Sequence, residues 1–210
     1  MVVIMKKIIA VILAAAAILT VFASCGKKEI TSGAYSYVEL NDDTLKITKY
    51  ASDEETVELD IPAEIDGKAV TVIGEEAFAG VQTITVVNFP SSLTKIEKNA
   101  FAGSSIKKAF LHKSAVTEIG ETAFGECHNL VQIDLPRTLT TIAAKAFYYC
   151  ENLKVAYFRG DVENIDTFAF DASPDVKFYV KKSFSKVIDF ARVYHFNTVV
   201  IDAVSETVAA

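Results

Sequence analysis

The sequence predicts an α/β repeat fold, a solenoid of stacked 23-residue coils with a parallel β-sheet along one wall. One observation is the six-residue pattern Ile-x-x-x-Ala-Phe, which occurs five times. Its copies are Ile73–Phe78, Ile96–Phe101, Ile119–Phe124, Ile142–Phe147 and Ile165–Phe170. A second observation is that consecutive copies start 23 residues apart. A third is an apolar strand pattern in the interval between them. Such a fixed period is typical of a solenoid, because each unit can bury its apolar face only against its neighbours.

The interval after each copy contains the predicted strand. It reads Leu-x-x-Ile-x-Leu-Pro in Leu130–Pro136, Ile-x-x-Val-x-Phe-Pro in Ile84–Pro90 and Leu-x-x-Ala-x-Phe in Leu153–Phe158, where Arg159 replaces the proline. Alternation along the strand places its last two apolar residues inside and their neighbours outside. Proline then ends the strand, because it has no N–H for a further ladder bond. The polar residues between each Ile and its Ala-Phe predict a short turn or a single helical turn on the opposite wall.

The stretch Ile119–Ile142 contains the whole motif: Ile-Gly-x-x-Ala-Phe, a Cys three residues later, Leu-x-x-Ile-x-Leu-Pro, and then x-x-Leu-Thr-x-Ile. This combination resembles the BspA-like class of bacterial leucine-rich repeats, over roughly Val57 to Tyr179. The resemblance implies a leucine-rich-repeat solenoid with one strand per coil. It also implies a secreted or surface-anchored bacterial protein, since several members of the class are adhesins or host-interaction proteins. The class has no shared catalytic residues, so the resemblance implies no catalytic site.

Residues 1–24 are predicted to be a lipoprotein signal peptide. A short basic region is followed by the almost wholly apolar Ile8–Val21, and Phe22–Cys25 then resembles the lipobox of bacterial lipoproteins. That resemblance implies that Cys25 becomes the lipidated first residue of the mature protein, at the start of a tether over residues 25–34. The alternative is an uncleaved transmembrane anchor, because the 17 residues before Cys25 reach the lower end of the spanning range of about 17–25 residues.

Residues 35–72 are predicted to form an N-terminal β cap and a degenerate first repeat. Tyr35–Leu40 and Thr44–Tyr50 alternate like the two strands of a hairpin around an Asn-Asp-Asp turn. Val57–Pro62 aligns with the strand of the regular repeats, which extend over residues 73–180. An atypical first unit is expected because the open end of a solenoid would otherwise leave strand edges and core bare.

Residues 181–210 are predicted to form a helix–strand cap at the other end. Ser183 can N-cap a helix, and Thr198–Val204 adds a last strand. The apolar face of this helix consists of Phe184, Val187, Ile188, Ala191 and Tyr194. Phe168 occupies a place that is polar in the other copies, and we predict that it packs beneath this helix.

Charge and length limit the classes of partner. Residues 25–210, the mature chain in this interpretation, contain 19 basic and 27 acidic residues, a net charge of −8. Their 186 residues are enough for one domain with a sizeable core. The absence of a basic patch argues against nucleic acid and anionic lipid headgroups as partners. We therefore expect membrane attachment through the lipid on Cys25, no cofactor, and a monomer.

The five repeated phenylalanines are predicted to form a stacked core ladder rather than an aromatic ligand box. Cys127 and Cys150 occupy the same place in consecutive coils, where the other copies carry Val or Ser. We expect two free buried thiols. The alternative is a disulfide, because neighbouring strands lie about 4.8 Å apart and export would permit the bond. No metal site is expected, since His128 points away from its neighbour Cys127 and zinc needs four convergent ligands.

Catalytic motifs are not found in the sequence. The histidines are His112, His128 and His195, and none lies beside a nucleophile motif such as Gly-x-Ser-x-Gly. No paired carboxylates mark a pocket wall, and no glycine-rich phosphate loop is present. We therefore predict that the protein is not an enzyme.

The outward residues of the predicted strands form the candidate binding face. In the second copy the inward pattern slips by one residue, so that Lys108 and Phe110 point outward. The predicted face consists of Val86, Asn88, Lys108, Phe110, Gln132, Asp134, Val155 and Tyr157. Exposed aromatic and apolar side chains mark interaction sites. The alternative is an ordinary solvated sheet, since β-forming residues are tolerated there.

Together these features predict an exported, lipid-anchored binding protein that acts through protein–protein or protein–glycan contacts at the bacterial cell surface, like an adhesin. The alternative is a structural or assembly lipoprotein that docks another envelope component of the same cell. A third interpretation is an enzyme with an unrecognised site.

Overall fold

The computed structural model describes residues 28–201 of the chain. The predicted signal peptide, the predicted lipidation of Cys25 and the end of the C-terminal cap lie outside the described residues. Within the described range, none of the helical structure has the length and apolar character needed to cross a membrane.

The described residues form sixteen strands and one helix. The first eight strands are β1 (Glu29–Ser32), β2 (Tyr35–Glu39), β3 (Leu45–Tyr50), β4 (Thr56–Asp60), β5 (Glu64–Ile65), β6 (Lys68–Ile73), β7 (Ile84–Asn88) and β8 (Lys95–Ile96). The remaining elements are β9 (Lys108–Phe110), β10 (Glu118–Ile119), β11 (Gln132–Leu135), β12 (Thr141–Ile142), β13 (Val155–Phe158), β14 (Asn164–Ile165), β15 (Lys177–Val180), α1 (Ser185–Val193) and β16 (Asn197–Val200).

The predicted parallel wall is a seven-stranded sheet in the order β16-β15-β13-β11-β9-β7-β4. All of its strand pairs are parallel. The predicted slip in the second copy is confirmed, because Ala109 pairs in register with Val87 on one side and Ile133 on the other. The solenoid and its parallel wall are thus confirmed.

A second sheet corrects the expectation of one strand per coil. Four of the repeated isoleucines, Ile96, Ile119, Ile142 and Ile165, each form a two-residue strand with the residue before them and lie in register. Ile73 ends the longer strand β6 and pairs with Ile96. This nine-stranded sheet runs in the order β1-β2-β3-β6-β8-β10-β12-β14, with β5 paired to β6. The repeated Ile is buried in most coils, so its backbone lies close enough to the next coil for ladder bonds. Between each Ile and its Phe the sequence predicted a short turn or a single helical turn, and the structure has a short non-helical turn there.

The core between the two sheets contains the predicted phenylalanine ladder. Phe78, Phe101, Phe124, Phe147 and Phe170 are all buried. Consecutive rings are stacked, with centroids 4.7–5.5 Å apart. Tyr50 extends the ladder into the N-terminal cap, 5.0 Å from Phe78. The 23-residue period therefore places identical rings at stacking distance, where each covers the next.

The turn wall has a left-handed residue at two places in most coils. Glu76, Asn99, Thr122 and Lys145 have φ between 54° and 58°. The second place is occupied by Gly80, Gly103, Glu126, Tyr149 and Ala172, with φ between 56° and 66°. These corners align the turn backbones, so that the N–H groups of the first four ladder phenylalanines, Phe78 to Phe147, each donate to the next coil's Ala carbonyl over 2.7–2.8 Å. Coil-to-coil hydrogen bonds thereby satisfy backbone groups at the buried turn positions.

The N-terminal cap contains the predicted hairpin, with β2 antiparallel to β3. One boundary is wrong, because residues 29–32 of the predicted tether form β1 and pair with β2. The predicted strand of the degenerate first repeat is β4, which pairs in parallel with β7. Lys68 on β6 forms ion pairs with the hairpin: its Nζ lies 2.8 Å from Glu39 at the end of β2 and 2.6 Å from Asp43 in the turn.

The C-terminal cap contains the predicted helix and strand, but Ser183 is not the N-cap. The helix follows Phe184, which makes no side-chain capping bond. Instead the carboxylate of Asp161, one coil earlier, accepts the N–H groups of Val187 at 3.1 Å and Lys186 at 3.3 Å. This carboxylate satisfies two of the free N–H groups at the helix start. On the apolar face Val187 and Ala191 are buried, Phe184 and Ile188 partly so, and Tyr194 is exposed.

The prediction that Phe168 packs beneath this helix is wrong, because 56% of the residue is exposed. Its place corresponds to the outer corner of the turn, which carries Glu76 and Lys145 in other coils. In the last coil the N–H of Phe168 donates to the Asp166 carboxylate over 2.8 Å. The ring thus remains at a corner that faces solvent. Phe196 packs against Phe178 at 5.0 Å and covers that end of the core instead.

Candidate ligand-binding face

Strand register brings the eight predicted face residues together in two columns on one side of the seven-stranded sheet. Val86, Lys108, Gln132 and Val155 form the first column, and Asn88, Phe110, Asp134 and Tyr157 form the second. We call this surface the outer sheet face. Its use as a binding site remains a prediction.

Sequence reasoning missed four further residues that extend the two columns. Glu58 and Lys177 continue the first, and Asp60 and Tyr179 continue the second. These four residues could have been predicted from the sequence, because the β4 and β15 sequences align with the strands of the regular repeats.

Two members of the face are less exposed than their outward direction implied. Phe110 is 8% exposed and Asp134 is 2% exposed. The imidazole of His112 lies edge-on to the Phe110 ring, with centroids 6.3 Å apart. Residues beyond the strand ends therefore fold back over this part of the sheet and cover it.

Asp134 is the centre of a charged cluster at the strand ends. Arg159 donates through Nε to Oδ1 at 2.6 Å and through Nη2 to Oδ2 at 2.7 Å, and the His112 Nδ1 lies 3.4 Å from Oδ2. The Arg159 side chain is only 7% exposed. Two parallel hydrogen bonds of this kind hold the two side chains in a fixed relative orientation, in addition to the attraction between their opposite charges. The Arg that replaces the strand-ending proline in its coil therefore holds a buried carboxylate on the outer sheet face.

A groove of about 930 Å³ opens at this side of the sheet. Its floor includes Val86, Asn88 and Phe110. The Asn88 amide donates to Glu58 Oε1 at 2.8 Å and to Asp60 Oδ1 at 2.7 Å. This amide holds both carboxylates at one end of the groove.

The other end of the groove is basic, with Lys108, Lys113 and Arg137 in its lining. Among residues 28–201, no carboxylate forms an ion pair with any of these three cations. By contrast, Lys98 and Lys154 of the same repeats each contact a carboxylate of the next coil. The groove thus presents cationic groups that remain available to a ligand.

An aromatic pair extends the face toward the C-terminal cap. The rings of Tyr157 and Tyr179 lie 4.8 Å apart at an angle of 45°, and both residues are partly exposed. Burial raises the pKa of the Tyr157 phenol, and the nearby Tyr179 and Asp134 add to that shift. The phenol therefore stays protonated and can donate a hydrogen bond at neutral pH.

Cys127 and Cys150 are free thiols in the core, as expected. The Sγ of Cys127 donates to the Phe101 carbonyl and that of Cys150 to the Phe124 carbonyl, each over 3.1 Å. Burial raises the pKa of the Cys127 thiol to about 11 and that of Cys150 well above its ordinary value. Neither is an activated nucleophile, since the thiolate is the reactive form. The part of the chain that the structure describes contains no group of three or more His, Cys, Asp or Glu side chains placed to hold a metal.

Comparison with protein families places these coils among known repeats. Residues 48–177 match the BspA type leucine rich repeat region in six copies. The chain belongs to this family. The matched range begins at residue 48, so it extends over the strand of the degenerate first repeat.

Two solved structures have the same leucine-rich-repeat fold. A leucine rich cell surface protein from Faecalibacterium prausnitzii is 23% identical, with a TM-score of 0.52 over 74% of this chain. The pneumococcal vaccine antigen PcpA is 18% identical, with a TM-score of 0.58 over 75% of this chain. The BspA type repeat chain spans 55% of the first protein and 51% of the second, about half the length of each. No curated protein matches the chain.

Proposed function

We propose that this BspA type repeat protein is exported, held at the membrane by a lipid on Cys25, and binds a macromolecule outside the cell through its outer sheet face. The partner is a protein or a glycan of the surroundings, and the mode of action is adhesin-like binding without catalysis.

The proposed location is supported by two kinds of likeness. Residues 1–25 have the order of a lipoprotein signal, from basic to apolar to the lipobox-like Phe-Ala-Ser-Cys. One structural relative is described as a cell surface protein and another as a vaccine antigen. A single lipidated terminus would attach the solenoid to a membrane with its long sheet free for contacts.

The observation that carries the proposed binding role is the groove on the outer sheet face. Most of the sheet's inward residues fill the core, whereas the outward columns combine partly exposed Val86, Val155, Tyr157 and Tyr179 with charges at the groove. Interface centres are rich in aromatic and apolar side chains surrounded by polar groups. The outer sheet face has this composition.

Capture by the immobilised protein tests the proposed function. The Tyr157→Ser/Tyr179→Ser variant removes the exposed ring pair of the face. The matched control, Tyr148→Ser/Tyr149→Ser, removes a second pair of rings that lie 5.5 Å apart on the turn wall. Each protein is offered extracellular-matrix proteins, mucin glycans and a lysate of the producing cells. Protease treatment of intact cells measures whether the protein is displayed outside.

We expect capture of an external protein or glycan, a loss of capture in the face variant, and full capture in the turn variant. Protease should remove the protein from intact cells. Capture of an envelope protein from the producing cell alone, with protection from protease, would favour the assembly lipoprotein instead. Equal capture by all three proteins would contradict a site on the outer sheet face.

A further inference from the structure

The groove on the outer sheet face separates its charges along the solenoid axis. The carboxylates Glu58 and Asp60 both lie on β4. The cations Lys108, Lys113 and Arg137 lie on or just after β9 and β11, the second and third strands from β4 in the sheet. The chain as a whole has a net charge of −6, so this cluster of cations, which form no ion pair with another residue in the range 28–201, is a local reversal of sign.

Strand spacing sets the distance between the two charge groups. Neighbouring strands lie about 4.8 Å apart, so the cations are about 10–14 Å from the carboxylates along the axis. An extended peptide advances about 3.3 Å per residue. A peptide lying across the strands would therefore match both ends of the groove with opposite charges about three to four residues apart.

This arrangement favours a protein ligand over an acidic glycan. An acidic polysaccharide has only negative groups, so it would complement Lys108 and Arg137 but would meet repulsion at Glu58 and Asp60. A peptide can carry both signs in one short segment. Charge complementarity of this kind mainly sets the orientation and the association rate, and like charges placed together reject the wrong partner.

We propose, on the basis of the proposed binding role of this face, that the ligand is a protein segment with a basic residue over Glu58 and Asp60 and an acidic residue about three to four positions away over Lys108, Lys113 and Arg137. The Asp134–Arg159 pair lies beside this segment. Because it is already neutralised within the protein, it adds no net charge to the basic end.

Selection from a display library of random peptides of about twelve residues, long enough to cross the groove, tests this inference on the full chain. Binding of enriched peptides and of polygalacturonate, an acidic glycan, is then measured by fluorescence anisotropy. Lys108→Glu/Arg137→Glu reverses the basic end and Glu58→Lys/Asp60→Lys reverses the acidic end. The control is Lys145→Glu on the turn wall, where Glu76 of an earlier coil has the same left-handed backbone. Thermal unfolding confirms that each variant is folded, and Lys108→Gln/Arg137→Gln replaces the charge reversal if that variant is not.

We expect enriched peptides to carry opposite charges at the stated spacing. Each end variant should weaken their binding by about tenfold or more, and binding should fall as salt rises from about 50 mM to about 500 mM. Peptides with the two charges exchanged should regain affinity for a variant reversed at both ends, while Lys145→Glu should leave binding unchanged.

Peptides without the charge pattern, or no enrichment at all, would overturn the inference. Tighter binding of polygalacturonate that depends on Lys108 and Arg137 would also overturn it, while leaving binding at the outer sheet face intact. The tyrosine variants test that proposed function separately, because they leave the groove charges in place.

Discussion

Phe124 lies in the middle of the core ladder, 5.1 Å from the Phe101 ring and 5.5 Å from the Phe147 ring. We predict that Phe124→Ala lowers the free energy of unfolding by about 3–5 kcal/mol, because it removes ring contacts and leaves a cavity. Phe168→Ala is the control, since that ring is exposed and its loss should cost less than about 0.5 kcal/mol. Denaturant unfolding measures both values, and equal losses would contradict the packing of the ladder.

Asp134 and Arg159 form the least exposed ion pair among the described residues. We predict that Arg159→Met lowers the free energy of unfolding by about 3 kcal/mol, because it leaves a buried carboxylate without its main partner. Arg192→Met is the control, since Arg192 pairs with Asp189 at an exposed site on α1, where such pairs contribute at most about 1 kcal/mol.

The double variant Asp134→Asn/Arg159→Met should lose less stability than the two single losses added together, because the buried charge is then removed as well. Denaturant unfolding of the four proteins provides the cycle. Strictly additive losses would show that the two side chains do not depend on each other.

The two core thiols predict a decrease in stability at alkaline pH. Burial raises the pKa of Cys127 from an ordinary value of 9.0 to about 11, and that of Cys150 is raised as well. Because the unfolded thiol ionises first, this contribution to stability is complete below pH 9 and declines as pH rises through 11.

Cys127→Ser/Cys150→Ser should reduce that decline. Ser173 occupies the equivalent place in the next coil, where its hydroxyl donates to the Phe147 carbonyl over 2.7 Å. We therefore expect that below pH 9 the free energy of unfolding of the variant differs from that of the parent by no more than about 1 kcal/mol. The measurement is the free energy of unfolding across the alkaline range. Identical pH profiles for the two proteins would show that the thiols are not the source of the alkaline decrease in stability.

At the scale of elements, the start of α1 depends on a side chain from another coil. We predict that Asp161→Ala lowers the free energy of unfolding by about 1 kcal/mol and speeds hydrogen exchange in the first turn of the helix. Ser183→Ala is the matched control and should change neither quantity, because Ser183 is not the cap. A larger effect of Ser183→Ala than of Asp161→Ala would contradict this and would support Ser183 as the N-cap expected from the sequence.

Element positions were predictable wherever the 23-residue period determined them. The strands of the seven-stranded sheet and the columns of the outer sheet face follow from the spacing of apolar residues, including the slip around Ala109. The period also places opposite charges next to each other, as with Lys98 and Glu121, which are 23 residues apart and paired at 3.0 Å.

Features that depend on one particular coil were not predictable in this way. Asp161 reaches Val187 from 26 residues away, and Arg159 reaches Asp134 from 25. Both contacts use side-chain length and loop direction, which apolar periodicity does not describe. Exposure of Phe168 was missed for a related reason, since an apolar residue at a turn corner still points to solvent.

At the scale of the whole molecule, the two ends of the solenoid are closed differently. A three-stranded antiparallel unit, β1 to β3, covers one end, and α1 with β16 covers the other. Between these caps the outer sheet face runs across six strands, β4 to β15, and within residues 28–201 no helix interrupts it. We propose that the ligand binds on this continuous face.

Lysine footprinting of the full chain, with and without a ligand captured in the binding assay, tests that placement most directly. Lys108 and Lys177 lie in the first column of the outer sheet face, whereas Lys145 lies on the turn wall and Lys49 on the other sheet. We predict that bound ligand slows acetylation of Lys108 and Lys177 and leaves Lys145 and Lys49 unchanged. Protection of Lys145 or Lys49 with unchanged labelling of Lys108 would contradict binding at the outer sheet face.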